Sequence, residues 1–438
     1  MSLLVIRLPD VDTLADGLRM LRERAGDAAG VQLEVTIRQA VDPLAWLAAQ
    51  PAGQRLYWAD RGGSEVAGWG FADVQERLPD GSDGRYFGGM AFDPNAPTDP
   101  AWAPLGRCRF FLPRLRLETT DSGQTLTVDC RDGADLDGVN ADCVSDTVET
   151  FPGEIVEHSP DFDGWSEGIA AATAALEQGV MRKVVLARQT TVDLHAPVDP
   201  FVLLARLRQP GGFVFGFEVA DGHAFVGCSP ERLFRRAGRA LSTEALAGTR
   251  PRGNTRQQDH LLAAKLLASA KERAEHHHVV EAIEADLAPL CTALSRDARP
   301  GIRRLSRVQH LHTPFSGHLA STVTDGDLLT AMHPTPAVCG RPTDRARDFI
   351  GQTEPFDRGW YAGPVGWVDH EAAEFAVGIR SVLLVDGQLR FCTGAGIVAG
   401  SQADSEWAEL GAKSSRLTSL LEAPQQKQRS SQMRAVGS

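Results

Sequence analysis

Apolar and polar positions along the first third of the chain alternate with a period of two. SEVAGWGFADV, RYFGGMAFD, RCRFFLPRLRLE and QTLTVDC are β-like runs divided by Gly, Pro and Asp turns, so residues 1–155 read as a strand-rich half. The segment PGEIVEHSPDFDGWSEG is the expected seam, with 156–422 following it as a second region of the same body. Beyond the seam the pattern predicts a helix from Asp163 to about Gln178 and then the strand KVVLARQTTVDL. GGFVFGFEV, HAFVGCS and ERLFRR are further strands. Apolar Leu261, Leu262, Leu266, Leu267, Val279, Val280, Ile283 and Leu287 predict one long helix from about Thr255 to Leu290. RVQHLHTPFSG is a strand, and helices at 326–332 and 343–352 lead to the strand runs WYAGPVGWVD, EFAVGIRSVLLVD and QLRFCTGAGIVAG. A final helix is expected to start near Ser405, a good N-cap before Glu406. Strand meanders with helices between them predict an α+β fold with large, mostly antiparallel sheets packed together and helices outside. The polar, patternless end from Ala423 reads as a disordered tail over 423–438.

Composition narrows the classes. The 438 residues carry 45 Lys+Arg against 57 Asp+Glu, a net charge of −12, which argues against a nucleic-acid binder that must neutralise phosphates. No run approaches the roughly 20 apolar residues needed to span a bilayer. Arg7 and Asp10 stand where a signal peptide would keep its apolar core. Seven widely spaced Cys without a C-x-x-C pair fit a reducing compartment, so a cytoplasmic location is expected. No long amphipathic seam marks a coiled coil, and a monomer is expected. Only five basic residues are Lys: Lys183, Lys265, Lys271, Lys413 and Lys427. A chain that uses Lys so rarely still needs it wherever an amine must give up its proton, because Arg cannot.

Two helices carry Glu pairs at i, i+3, Glu272/Glu275 and Glu406/Glu409. That spacing puts each pair on one helix face, about 5–6 Å apart at Cβ. Four converging carboxylates would suit a hard cation such as Mg²⁺. On spacing alone, two solvated faces paired with Lys271, Arg273 and Lys413 are the commoner arrangement. The run His276–His278 lacks metal-ligand spacing and reads as surface or packed histidines. Lys183 enters the apolar run VVLA, where desolvation would lower its pKa and make it a general base; a strand-end lysine in water is the plain alternative. Glu231 follows Ser229-Pro230 at a turn and is either an ordinary turn carboxylate or, in an apolar pocket, an acid. Ala247-Gly248-Thr249 and Gly394-Ala395-Gly396 either bring backbone N–H groups close to a ligand carboxylate or are plain turns.

Taken in order, nine stretches resemble the chorismate-utilising enzymes, the family of isochorismate, salicylate, anthranilate and aminodeoxychorismate synthases. They are KVVLAR (183–188), GCSPERL (227–233), TEALAGTRPRG (243–253), KERAEHHHVVEAI (271–283), VQHL (308–311), HPTPAVCGRP (333–342), EPFDRGWYAGPVGW (354–367), FAVGIRS (375–381) and GAGIVAGSQADSEWAELGAK (394–413). The resemblance covers about 160–422; before that it is weak, mainly at GGMAFD (88–93). It favours the cation reading of the four carboxylates over solvated faces. Anthranilate synthases look like QVVLSR at 183–188, so Lys183 resembles enzymes whose nucleophile is water rather than ammonia. Aminodeoxychorismate synthases commonly carry Lys at the position of Ala247. Anthranilate and salicylate synthases tend to place Thr where this chain has Ala337. TEALAGT and WYAG look most like isochorismate synthases of the menaquinone-pathway type.

The resemblance implies Mg²⁺-dependent, reversible conversion of chorismate to isochorismate, with water added at C2 and the C4 hydroxyl lost. It gives Lys183 the role of base and Glu231 that of acid. It makes Glu275 and Glu409 direct Mg²⁺ ligands, with Glu272 and Glu406 behind them through water. Gly248, Thr249 and Lys413 match residues around the ring carboxylate. Tyr361, Arg380 and the backbone of Gly394, Ala395 and Gly396 match the enolpyruvyl-carboxylate site, and His310 matches a pocket histidine of open role. No glutamine amidotransferase subunit is implied. The rivals are salicylate synthase, which goes on to eliminate pyruvate, and a non-catalytic carboxylate-binding relative.

Overall fold

The computed structural model describes residues 4–26, 28–79, 81–144, 150–304 and 308–421. The expected tail lies outside the described residues. Paired strands form two runs that share the long strand Cys108–Thr120. Among the described strands only Leu4–Arg7 runs parallel to its neighbour, Val31–Ile37. From there the first run passes through Gly123–Asp129, Cys108–Thr120, Glu65–Gln75, Arg55–Ala59, Phe213–Ala220 and His223–Ser229. It continues through Ser381–Val385, Gln388–Ile397 and Lys183–Leu194 to Gly153–Ser159. The second run leaves Cys108–Thr120 through Tyr86–Met90, Pro364–Val368, Ala372–Val377, Arg232–Ala237, Ala240–Pro251 and Val308–Leu319. The α+β class with large antiparallel sheets is as expected.

The chain crosses between the runs at two links that matter below. Pro230–Glu231 joins His223–Ser229 of the first run to Arg232–Ala237 of the second. Residues 378–380 join Ala372–Val377 of the second to Ser381–Val385 of the first. The links are tied to each other's strands: Val377 N donates to the Glu231 carbonyl and Cys228 N to the Arg380 carbonyl, both at 3.1 Å. Arg380 holds the bend with φ 55°, a left-handed conformation that a side chain rarely adopts.

Several elements differ from the sequence reading. The expected single helix over 255–290 is two, Arg256–Ala268 and Ala270–Leu287. Ser269 breaks it in an extended conformation and accepts a hydrogen bond from Glu272 N, because a serine hydroxyl competes well for free N–H groups at a helix start. The last helix begins at Ala403 with Gln402 before it, so Ser405 lies in the first turn and does not cap. Among the described residues the strand-rich half also holds two α-helices. Leu14–Ala25 buries Leu14, Leu18, Leu21 and Ala25 along one stripe, and Pro43–Ala48 is capped by Asp42. The expected seam contains a strand, Gly153–Ser159, hydrogen-bonded to Lys183–Leu194.

Candidate active site

Alternation along two neighbouring strands sets the floor of the site. Ile397 pairs with Val184 and Ala395 with Leu186, and these four side chains sit in the apolar core with Trp165, Ile169 and Leu410 of the covering helices. Gly396 pairs with Val185 and Gly394 with Ala187 on the opposite face, which Lys183 shares. Space is tight at both glycines. A Cβ on Gly396 would lie 3.0 Å from Lys183 Cε, and one on Gly394 would lie 3.2 Å from the Tyr361 hydroxyl. The Ala395 side chain is turned into the core, so of the expected ligand contacts it has only its backbone to offer.

Lys183 is half-buried and its pKa is driven below the usual lysine value. Burial is the main cause; the Glu275 carboxylate opposes it, Lys413 adds to it, and Glu231 and Glu409 oppose it. One ammonium thus senses the acid candidate and one carboxylate from each Glu-bearing helix. Glu231 moves the opposite way, up to about 7. Burial disfavours its charge and Glu244 repels it, while a 3.3 Å bond from Thr335 Oγ1 and the charges of Arg61 and Lys183 act against the rise. Its backbone N–H donates to Ser229 Oγ at 3.2 Å, which fixes the turn.

The four expected metal-site carboxylates flank this floor but each has its own surroundings. Glu409 pairs with Lys413 Nζ at 2.6 Å, and the same ammonium donates to the Gly394 carbonyl at 2.8 Å. Glu406 accepts from Ser401 Oγ at 2.8 Å. Glu272 accepts from Thr249 N at 3.2 Å. Glu275 is exposed and has neither hydrogen bond nor ion pair among the described residues. No three His, Cys, Asp or Glu side chains among the described residues are gathered closely enough to hold an ion on their own. Unscreened carboxylates repel, and three of the four are held by a neighbouring donor or cation instead. The donor set still fits Mg²⁺, which takes one or two carboxylates and fills its other positions with water or substrate oxygens. Glu275 and Glu409, from helices Ala270–Leu287 and Ala403–Ser419, both act on the Lys183 charge, and neither is buried.

Around the floor, Thr249 Oγ1 and His310 Nδ1 share a 2.9 Å hydrogen bond. Burial holds His310 neutral, with its pKa lowered to about 4. Gly248, at φ +73°, lets the strand pass against Glu272; a Cβ there would meet Glu272 Oε2 at 3.1 Å. Tyr361 is buried, and Arg380 acts electrostatically on both Tyr361 and His310. Contacts and charges thus link Lys183, Glu231, Glu275, Glu409, Lys413 and Gly394, and separately Thr249, His310 and Glu272.

Other residues about the site were given no role in the sequence reading, and Arg61 carried no sequence signal at all. Arg61, from the N-terminal half, bonds both Glu244 and the Pro230 carbonyl. Arg358 and Glu354, both buried, brace the floor: Arg358 donates to the carbonyls of Val185 and Val338, and Glu354 accepts from Ala187 N. Ala337 lines the same cavity as Glu231 and Thr335.

Comparison with known proteins identifies the family. The model of the family "chorismate binding enzyme" matches residues 71–422. The isochorismate synthase MenF of Bacillus subtilis is 35% identical, over 76% of this chain and 74% of the relative. The salicylate biosynthesis isochorismate synthase of Pseudomonas aeruginosa is 44% identical, over 59% of this chain and 55% of its own length. The solved structure of the menaquinone-specific isochorismate synthase MenF of Escherichia coli superposes with a TM-score of 0.83 at 30% identity, covering 93% of this chain and all of that one.

Proposed function

The chain belongs to the chorismate-binding enzymes, and on that premise we propose that it is an isochorismate synthase, an isomerase that interconverts chorismate and isochorismate. The observation that carries the reading is a lysine held toward its neutral form and a glutamic acid held toward its protonated form on one surface, each acting on the other's charge. Water is a poor nucleophile without a base, and hydroxide a poor leaving group without an acid. Lys183 takes a proton from the water that adds at ring C2. Glu231 gives its proton to the C4 hydroxyl, which leaves as water. One water enters and one leaves, so substrate and product are isomers, and the return reaction exchanges the two roles.

Glu275 and Glu409, with Glu272 and Glu406 behind them, would hold Mg²⁺. Bound there, the ion would neutralise the ring carboxylate among enzyme carboxylates and fix the ring. Thr249 with the Gly248 backbone and Lys413 bind beside that carboxylate. Tyr361, Arg380 and the backbone of Gly394–Gly396 take the enolpyruvyl carboxylate, a task suited to the planar guanidinium. Relatives named for menaquinone and for salicylate synthesis are both isochorismate synthases, which supports isochorismate as the product and leaves either use of it open. Incubation with chorismate and Mg²⁺, followed by proton NMR, should show isochorismate accumulating to an equilibrium with chorismate. Salicylate and pyruvate appearing without a lyase would instead make the chain a salicylate synthase.

A further inference from the structure

Glu231 sits at a crossing between the two strand runs, and its nearest fixed charges come from elsewhere in the chain. The Arg61 side chain is 6% exposed and that of Glu244 5%. The Arg61 guanidinium donates to the carbonyl of Pro230, the residue before Glu231, and to Glu244, and it lies 4.6 Å from the Phe213 ring centre. Glu244 is held on its other oxygen by His312 Nε2 at 3.0 Å and by Arg303 at 3.5 Å. The remaining charges nearby are engaged elsewhere: Arg232 with Glu374 at 2.8 Å, and Asp286, across the cavity, with Arg341 at 2.7 Å. Lys183, the proposed base, is the other cation that acts on it.

We propose that Arg61 and Glu244 are positioning residues for Glu231: Arg61 clamps the turn that carries the acid, and ionised Glu244 adds a fixed negative charge to the effect of burial. The inference rests on the acid role proposed above for Glu231. Glu244 is itself well suited to stay charged. Although burial pushes its pKa up, the bond to His312 and the charges of Arg61 and Arg303 take it down to about 2. Its repulsion therefore persists over the whole working pH range, while the Arg61 cation pulls Glu231 the other way.

The two residues predict shifts of opposite sign, which general structural damage would not give. Glu244→Gln keeps the shape but leaves Arg61, Arg303 and His312 without their anion. The limb of the kcat/KM profile that belongs to Glu231 should move about one unit to lower pH. Arg61→Met should move that limb to higher pH. Arg61→Lys, which keeps the charge but loses the planar two-partner grip, should leave the limb in place and lower kcat with little change in KM. The same titration can be followed without turnover by carboxyl-carbon NMR of Glu-labelled protein, the Glu231 signal being the one lost in Glu231→Gln. An unmoved Glu231 titration in Glu244→Gln overturns the inference, whatever the activity. Wild-type protein that fails to turn over chorismate would instead overturn the functional reading.

Discussion

At the scale of single residues, burial acts on two groups of opposite charge type and pushes both toward their neutral forms. The rate then follows the fraction of molecules with Lys183 neutral and Glu231 protonated, so kcat/KM should be bell-shaped in pH, with one inflection near 7 from Glu231. A profile flat from pH 6 to 8 would remove Glu231 from proton transfer. Lys183→Ala should lower turnover by about 10²–10⁴-fold, the usual reach of a general base, while calorimetry still detects chorismate binding. Normal turnover in that variant would take the base role away from Lys183. Both residues were legible in the sequence, Lys183 as a rare lysine before an apolar strand and Glu231 as a carboxylate after Ser-Pro, but their roles came only from the family motifs. Arg61 was not legible. It meets Glu244 across 183 positions of chain, and no periodicity records a contact at that distance.

At the scale of elements, the site depends on pieces that end where the chemistry is needed. The break at Ser269 starts a new helix whose first turn carries Glu272 and whose second carries Glu275. Sequence periodicity ran through this break because the apolar positions continue on both sides and one serine hardly weakens the pattern. Of the two crossings, one was read as a turn and the other as continuous strand, since their function lies in joining strand runs that only the fold defines. The carboxylate pairs were legible as pairs, and the structure adds that Glu275 is the one without a partner among the described residues. Glu275→Gln should therefore leave the fold intact and raise the Mg²⁺ concentration for half-maximal rate by at least about tenfold, since even indirect changes around bound metals cost 10–100-fold. An unchanged Mg²⁺ requirement would leave the helix Ala270–Leu287 outside the metal site. On the strand floor, Gly396→Ala should lower kcat by displacing Lys183, because the added Cβ would sit 3.0 Å from its Cε.

At the scale of the whole molecule, the N-terminal half had the weakest sequence signal and is tied most directly into the catalytic half. Arg55–Ala59 pairs with Phe213–Ala220, and Tyr86–Met90 pairs with Pro364–Val368. Trp58, Phe87 and Trp102 share one buried cluster with Phe215, Phe217, Phe225 and Trp360. The motifs read in the sequence lie mostly beyond 160, where the candidate ligand residues are, whereas these partners supply apolar volume and strand pairing, which many sequences satisfy. A fragment of residues 156–421 would keep every candidate ligand residue. It would still lose Arg61 and expose two unpaired strand edges and the aromatic cluster beside them, the surfaces that drive aggregation. It should therefore be insoluble or bind a hydrophobic dye without near-ultraviolet circular dichroism, and it should not bind chorismate. Co-expression with residues 1–155 should restore a soluble, active complex, because strand pairing needs both edges but not the covalent link between them. A monodisperse fragment with full activity would show instead that the catalytic region folds alone and that Arg61 has no part in holding its acid.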